Sequence, residues 1–150
     1  MKKLYSFIRK YRFFLLLITL PLLFFNKIIF NANLMFFPSQ DIVSIFSQEK
    51  ILFQDSIMNF GSLPLWNPYI FSGSPFIGNP SSSMFYPLNL LFLLFPIDNA
   101  FNYMFVLDSF LIGFFTFLFA TSINLSRFSA FTSGVTMMFG GPMLSQILPG

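Results

Sequence analysis

The sequence predicts an all-α integral membrane protein with about three transmembrane helices, a re-entrant or interfacial segment and a large outer loop. Three observations carry that expectation. First, the 150 residues include 26 Phe but only 8 Lys and Arg and 5 Asp and Glu, with a mean hydropathy of +0.74. A soluble domain carries roughly 25% charged residues and needs them to cover its surface. Second, Lys2, Lys3, Arg9, Lys10 and Arg12 are packed directly before an apolar run, and no acidic residue precedes Asp41. Third, a further apolar run extends over residues 103–123.

The basic stretch 1–12 is expected to be cytoplasmic by the positive-inside rule. Residues 13–30 form the first expected span, because 18 residues make about 27 Å of helix against a hydrocarbon core of about 30 Å. Pro21 is expected to kink it at most, since membrane helices tolerate proline. Residues 31–37, Asn-Ala-Asn-Leu-Met-Phe-Phe, offer no clear small-x-small cleavage site. A signal anchor therefore fits better than a cleaved signal peptide.

Residues 103–123 are the second expected span, with Asp108 as its polar exception. A central Asp costs about 2.5–3.5 kcal/mol on insertion scales, while each Leu, Ile or Phe returns roughly 0.3–0.6 kcal/mol. Asp108 is also near the outer end, where headgroups and water are close, and an ionisable residue there marks a polar membrane site. Residues 128–148 form a third, more polar span, in which Gly134 and Gly140-Gly141-Pro142 suggest close helix packing or a break. The ten residues 88–97 would make about 15 Å of helix, too short to cross, and read as re-entrant or interfacial. This count of crossings leaves Arg127 on the cytoplasmic side, as the positive-inside rule prefers.

Residues 31–87 then form an extracytoplasmic loop. Residues 39–60 read as an amphipathic helix with Ile42, Ile45, Phe46, Phe53, Ile57 and Phe60 on its apolar face. Asp41, Ser44, Gln48, Asp55 and Asn59 mark the polar face, and Asp55, Glu49 and Lys50 are expected to be solvated. Asp41 admits two readings. It stabilises the first helical turn against the macrodipole, or it is a carboxylate at the lipid–water boundary, placed to act as a base or to hold a divalent cation beside a lipid phosphate.

Residues 56–97 carry no formal charge across 42 positions but include six prolines, with Trp66, Tyr69 and Tyr86 among them. Proline at that density forbids a long helix or a central strand. The aromatic content excludes ordinary disorder, so residues 61–87 read as an ordered, turn-rich loop whose aromatic rings settle at the interface. Zero Cys and zero His exclude disulfides, thiol nucleophiles, zinc sites and histidine acid–base pairs. The basic residues form no nucleic-acid face. No phosphate-binding Gly-rich loop occurs, and Asn79-Pro-Ser fails as a glycosylation sequon.

The string Gly61-Ser-Leu-Pro-Leu-Trp-Asn-Pro-Tyr69-Ile-Phe-Ser-Gly-Ser-Pro-Phe, followed by Phe85-Tyr-Pro-Leu-Asn-Leu-Leu91, resembles the N-terminal part of bacterial YfhO-type membrane proteins. These are similar to GT-C polytopic glycosyltransferases. The likeness covers roughly residues 38–140, and its specific part is Leu-Pro-Leu-Trp-Asn-Pro-Tyr. It implies transfer of sugar from a polyprenyl-phosphate-linked donor at the outer face of the bacterial cytoplasmic membrane. It also implies Asp41 as catalytic base or metal-site residue, and Trp66, Asn67 and Tyr69 as substrate-binding residues. Members commonly carry a histidine near the position of Asp108, and they have many more helices. The resemblance therefore implies that the chain is an N-terminal portion, inactive alone and partnered by the bilayer, the lipid-linked sugar and further helices of the full protein. The competing reading is a non-catalytic multi-pass membrane protein, a subunit or truncated remnant, in which the same loop packs on a partner.

Overall fold

The computed structural model describes residues 2–30 and 46–141. The chain is mostly helical, in the order α1 (Lys2–Phe24), α2 (Asn26–Phe30), α3 (Ser47–Phe60), α4 (Leu91–Leu94), α5 (Ile97–Ser122) and α6 (Arg127–Met138). Between α3 and α4 lie a two-stranded hairpin, β1 (Trp66–Asn67) with β2 (Ser74–Pro75), and two short 3-10 turns, Pro80–Ser82 and Pro87–Leu90. Among the described residues one helix, α5, is long and apolar enough to cross a membrane. Its 26 residues span about 39 Å.

Helices α1, α5 and α6 form a bundle. Leu17, Pro21 and Phe25 are buried at spacings of four, which places them on one face of the α1 helix and its end. That face meets α6: Phe13 lies 5.2 Å from Phe131 and Phe24 lies 4.8 Å from Phe139, ring centre to ring centre, so α1 and α6 run parallel. Helices α5 and α6 form an antiparallel hairpin. Its turn uses Asn124 at φ +63°, a left-handed conformation that Asn tolerates. Ser126 caps α6, its Oγ accepting from Ser129 N at 3.1 Å.

The hairpin closes on two glycines. A Cβ on Gly134 would sit 2.7 Å from the Gly113 carbonyl oxygen, and one on Gly113 would lie 3.1 Å from the Gly134 carbonyl. The backbones meet directly, as residues without a side chain allow between closely packed helices.

Above the far end of α5 sits a folded cap with its own small core. Phe53 of α3 packs with Phe76 and Met84, flanked by Leu52, Ile57 and Leu93. Phe92 of α4 meets Phe101 of α5 edge-on at 4.7 Å, with Ala100 beside them. Helix α3 ends at Gly61, whose φ of +63° lets its N–H reach the Ile57 carbonyl at 3.1 Å.

Several boundaries differ from the sequence expectations. Residues 13–30 are not one helix: α1 breaks at Phe25 and α2 resumes at Asn26. The ten residues 88–97 contain a 3-10 turn and a helix of only four residues, so they form a corner of the cap. The helix over the second expected span begins at Ile97, not 103, because Pro96 opens it and residues 97–102 seat the cap through Ala100 and Phe101. Within 128–148 the helix observed is Arg127–Met138, and residues 142–148 lie outside the described residues. Of the helix expected over 39–60, residues 47–60 are α3 and residues 39–45, Asp41 included, lie outside the described residues.

The largest correction concerns Glu49 and Lys50, expected to be solvated. Each is only 3% exposed. Lys50 Nζ donates to the Ser82 carbonyl at 2.7 Å and lies 5.5 Å from the Phe92 ring centre. Asn79 Nδ2 donates to Glu49 Oε1 at 2.5 Å. Both side chains are buried because they bind the 3-10 turn over the helix.

Candidate functional site

The cap encloses a cleft of about 950 Å³ between α3 and the hairpin. Such a volume suits a small organic ligand or a sugar unit. One wall comes from α3, where Gln48, Glu49, Leu52, Asp55, Ser56 and Asn59 recur at helical spacing. The facing wall comes from Asn67, Tyr69, Phe71 and Asn79.

The hairpin that carries this second wall is built tightly. Phe76 N donates to the Leu65 carbonyl at 2.9 Å, and Trp66 pairs with Pro75 while Asn67 pairs with Ser74. Gly73 N donates to the Ile70 carbonyl at 2.8 Å across a turn whose central residues Phe71 and Ser72 have φ of +51° and +58°. Both are left-handed, as in a type I′ turn. A side chain at Gly73 is excluded twice: its φ is +109°, and a Cβ there would lie 2.7 Å from Cζ2 of Trp66. The indole therefore rests on the glycine.

Asn67 is buried, with its Oδ1 accepting from Tyr69 N at 2.9 Å, an Asx turn that aims the following residues. Tyr69 and Phe71 are 82% and 92% exposed, which leaves two aromatic rings at the cleft rim with little protein against them. On the opposite side Asn79 is fixed by two contacts, Nδ2 donating to Glu49 Oε1 and Oδ1 accepting from Ser81 N at 3.1 Å. Burial pushes the Glu49 carboxyl above the usual range, against the opposing pulls of Lys50 and the Asn79 hydrogen bond. Burial likewise lowers the Lys50 ammonium to about 8, with Glu49 pulling the other way.

A second, open groove of about 800 Å³ follows α5 past Met104, Phe105, Asp108, Leu111 and Phe115. Here Tyr86 of the cap donates its hydroxyl to Asp108 Oδ1. Burial and then this hydrogen bond push the Tyr86 phenol up to about 12.

The sequence-predicted residues thus separate. Asn67 and Tyr69 meet at the cleft, while Trp66 braces the hairpin against Gly73. Asp108 belongs to the other groove with Tyr86 as its partner. Asp41 lies outside the described residues. Glu49, Asn79 and Lys50 escaped the sequence reading, although a signal existed. The seven-residue gap between Phe46 and Phe53 on the apolar face is filled, at helical spacing, by positions 49 and 50. Among the described residues no three acidic, histidine or cysteine side chains converge as metal ligands.

Comparison with known proteins gives no relative to lean on: no family model, no curated protein and no solved structure matches the chain.

Proposed function

We propose that this chain is the N-terminal portion of a membrane-embedded, GT-C-like glycosyltransferase, and that the cap cleft receives the sugar of a polyprenyl-phosphate-linked donor. The observation that carries this reading is the cleft's make-up. Carboxylates and amides of α3, Asn67 and Asn79 face the exposed rings of Tyr69 and Phe71. Hydroxyl-rich rings are bound by that combination, since polar edges need hydrogen-bond partners and their C–H faces stack on aromatics. In this reading Asp41 activates the acceptor hydroxyl or orients a cation on the donor phosphate.

Membrane insertion is part of the proposal. Only 22% of the most apolar window of α5 is buried, which is low for the core helix of a soluble protein. Ile112, Phe115, Leu118 and Phe119 point outward from α5, as do Leu15, Leu16, Leu22 and Leu23 from α1. A contiguous apolar surface of this kind needs lipid or further helices. Orientation is supported by charge. Parallel packing of α1 and α6 brings Arg12 and Arg127 to one end of the bundle, opposite the cap on the Ile97 end of α5. The cap then faces outward from the cytoplasmic membrane, on the side where a polyprenyl-linked sugar is displayed.

The test is a titration of the detergent-solubilised chain with a polyprenyl-phosphate-linked hexose, followed by the fluorescence of Trp66, the chain's single tryptophan. Saturable quenching that Tyr69→Ala weakens is expected. A flat titration for every hexose tried would overturn the reading and favour the non-catalytic membrane subunit.

A further inference from the structure

The cleft wall contains a buried carboxylate that uses only half of its hydrogen-bonding capacity. Glu49 is 3% exposed, its Oε1 accepts from Asn79 Nδ2, and its Oε2 is buried with no hydrogen-bond partner. A buried carboxylate oxygen left unpaired is costly, and native proteins leave few such groups without a purpose. Neighbouring groups do not relieve it. The Lys50 ammonium beside it in sequence donates instead to the Ser82 carbonyl at 2.7 Å. Asn79 is held at both ends, by Glu49 and by the Ser81 N–H, so it cannot turn to serve the second oxygen without giving up the first.

We infer that Glu49 is the ligand-recognition residue of the cleft, its Oε2 accepting a hydrogen bond from a hydroxyl of a bound sugar ring. This inference rests on the cleft being the sugar site proposed above and names the group that reads the sugar. Asn79 acts as the positioning residue: its hydrogen bond to Oε1 fixes the carboxylate plane of a side chain that lines the cleft. Tyr69, at the opposite rim, supplies a face for the same ring. A hydrogen bond to a charged, desolvated acceptor is among the stronger polar contacts a binding site can make. Asp55, the other carboxylate of the α3 wall, is exposed, so a hydrogen bond to it is worth less than one to the buried Glu49.

The deciding variant is Glu49→Gln. Glutamine retains an oxygen for Asn79 Nδ2 but places a neutral NH₂ where Oε2 stood, so the fold contact persists while the charged acceptor for the sugar hydroxyl is lost. Two probes are titrated into wild type, E49Q and D98N, the last a change to an exposed carboxylate outside the cleft: the polyprenyl-phosphate-linked hexose and a short-chain alkyl glycoside without phosphate. The expected result is saturable binding of both by wild type. E49Q then weakens each by roughly 10- to 100-fold, the scale of one charge-assisted hydrogen bond, with no loss of thermal stability, and D98N changes little. Equal binding by E49Q and wild type overturns the role of Glu49 and leaves the function standing. Glycoside binding that E49Q loses, with no binding of the polyprenyl donor, overturns the transferase reading and leaves Glu49 standing. Binding of neither probe by wild type overturns both. Should E49Q not fold, Glu49→Asp retains the charge, withdraws the oxygens by one methylene and is read in the same way.

Discussion

Lys50 donates its ammonium to the backbone carbonyl of Ser82 at 2.7 Å, tying α3 to a turn 32 residues further along the chain. The contact joins a charge to a carbonyl within a nearly dry interface against Phe92. Because burial lowers the folded-state ammonium to about 8 from an ordinary 10.5, the folded chain binds the Lys50 proton more weakly than the unfolded chain does. Between about pH 8 and 10.5 the unfolded state therefore holds more protons, and stability rises with pH across that window. Glu49 has the opposite slope on the acid side. Its raised folded value means that stability falls as pH climbs above the ordinary 4.5. The proton on Tyr86, held up to about 12 in the folded state, makes stability fall again above about pH 10. The cap is accordingly expected to melt at a higher temperature at pH 9.5 than at pH 7.5. Lys50→Met, which removes the titrating group, is expected to erase that rise. At pH 7 the lost hydrogen bond costs about 1–3 kcal/mol and is partly offset by relief of the buried charge. Melting followed by circular dichroism in detergent at the two pH values measures both effects, and a rise preserved in the variant would remove Lys50 as its cause.

How much of this was legible beforehand depends on what each segment's residues report. The helical class and the position of α5 follow from an apolar run long enough to leave few alternatives. The order of the loop was legible as well, since six prolines and a high aromatic content exclude both long helix and disorder. Glu49 and Lys50 are not, because their charge argues for solvation while their helical position argues for burial. Burial there is decided by Asn79 and Ser82, which are 30 and 32 residues away. The hairpin turn was equally hidden. Left-handed turns are advertised by Asn-Gly or Asp-Gly, whereas Phe71-Ser72 adopts that geometry without the usual residues. Of the cleft, Asn67 and Tyr69 belong to the motif around Trp66, and the α3 wall is visible only in the fold.

The glycine contact between α5 and α6 gives a stability prediction with an internal control. Gly134→Ala places a methyl 2.7 Å from the Gly113 carbonyl oxygen, a backbone atom that cannot swing away. The helices must separate, at a cost of about 1–3 kcal/mol, the range for an overpacked contact. Gly141→Ala meets nothing within 4 Å and is expected to be neutral. Urea denaturation in detergent, followed by far-ultraviolet circular dichroism, orders the three proteins. Equal midpoints for G134A and wild type would mean that the two backbones do not touch.

Trp66 reports on the hairpin because its indole rests on Gly73. Gly73→Ala must bear a side chain at φ +109° and also displace the ring, whose Cζ2 lies 2.7 Å from the new Cβ. The backbone strain alone costs roughly 1–3 kcal/mol. The indole moves into water, so the emission of this single tryptophan is expected to shift to the red. Gly78→Ala, whose nearest neighbour is Pro75 Cβ at 4.0 Å and whose φ is unremarkable, leaves emission and stability as in wild type. An unshifted spectrum for G73A would show that the indole packs elsewhere.

The natural absence of cysteine makes the proposed orientation directly measurable, because each introduced thiol is then the only one in the protein. Phe71 is 92% exposed at the hairpin tip, and Arg127 opens α6 at the opposite end of the bundle. With the cap outside and the basic ends inside, Phe71→Cys in intact cells reacts with a membrane-impermeant maleimide. Arg127→Cys reacts only after the membrane is opened. Its loss also removes one positive charge from the end that sets orientation, so Ser122→Cys, exposed at the end of α5, serves as a second probe of that side. Labelling of both ends in intact cells, or the reverse pattern, would overturn the orientation and with it the placement of the cleft beside an outward-facing lipid-linked sugar. Protection of Ser122→Cys together with free labelling of Phe71→Cys requires an odd number of crossings between the two positions, and α5 is the segment there with the length and apolarity to supply it.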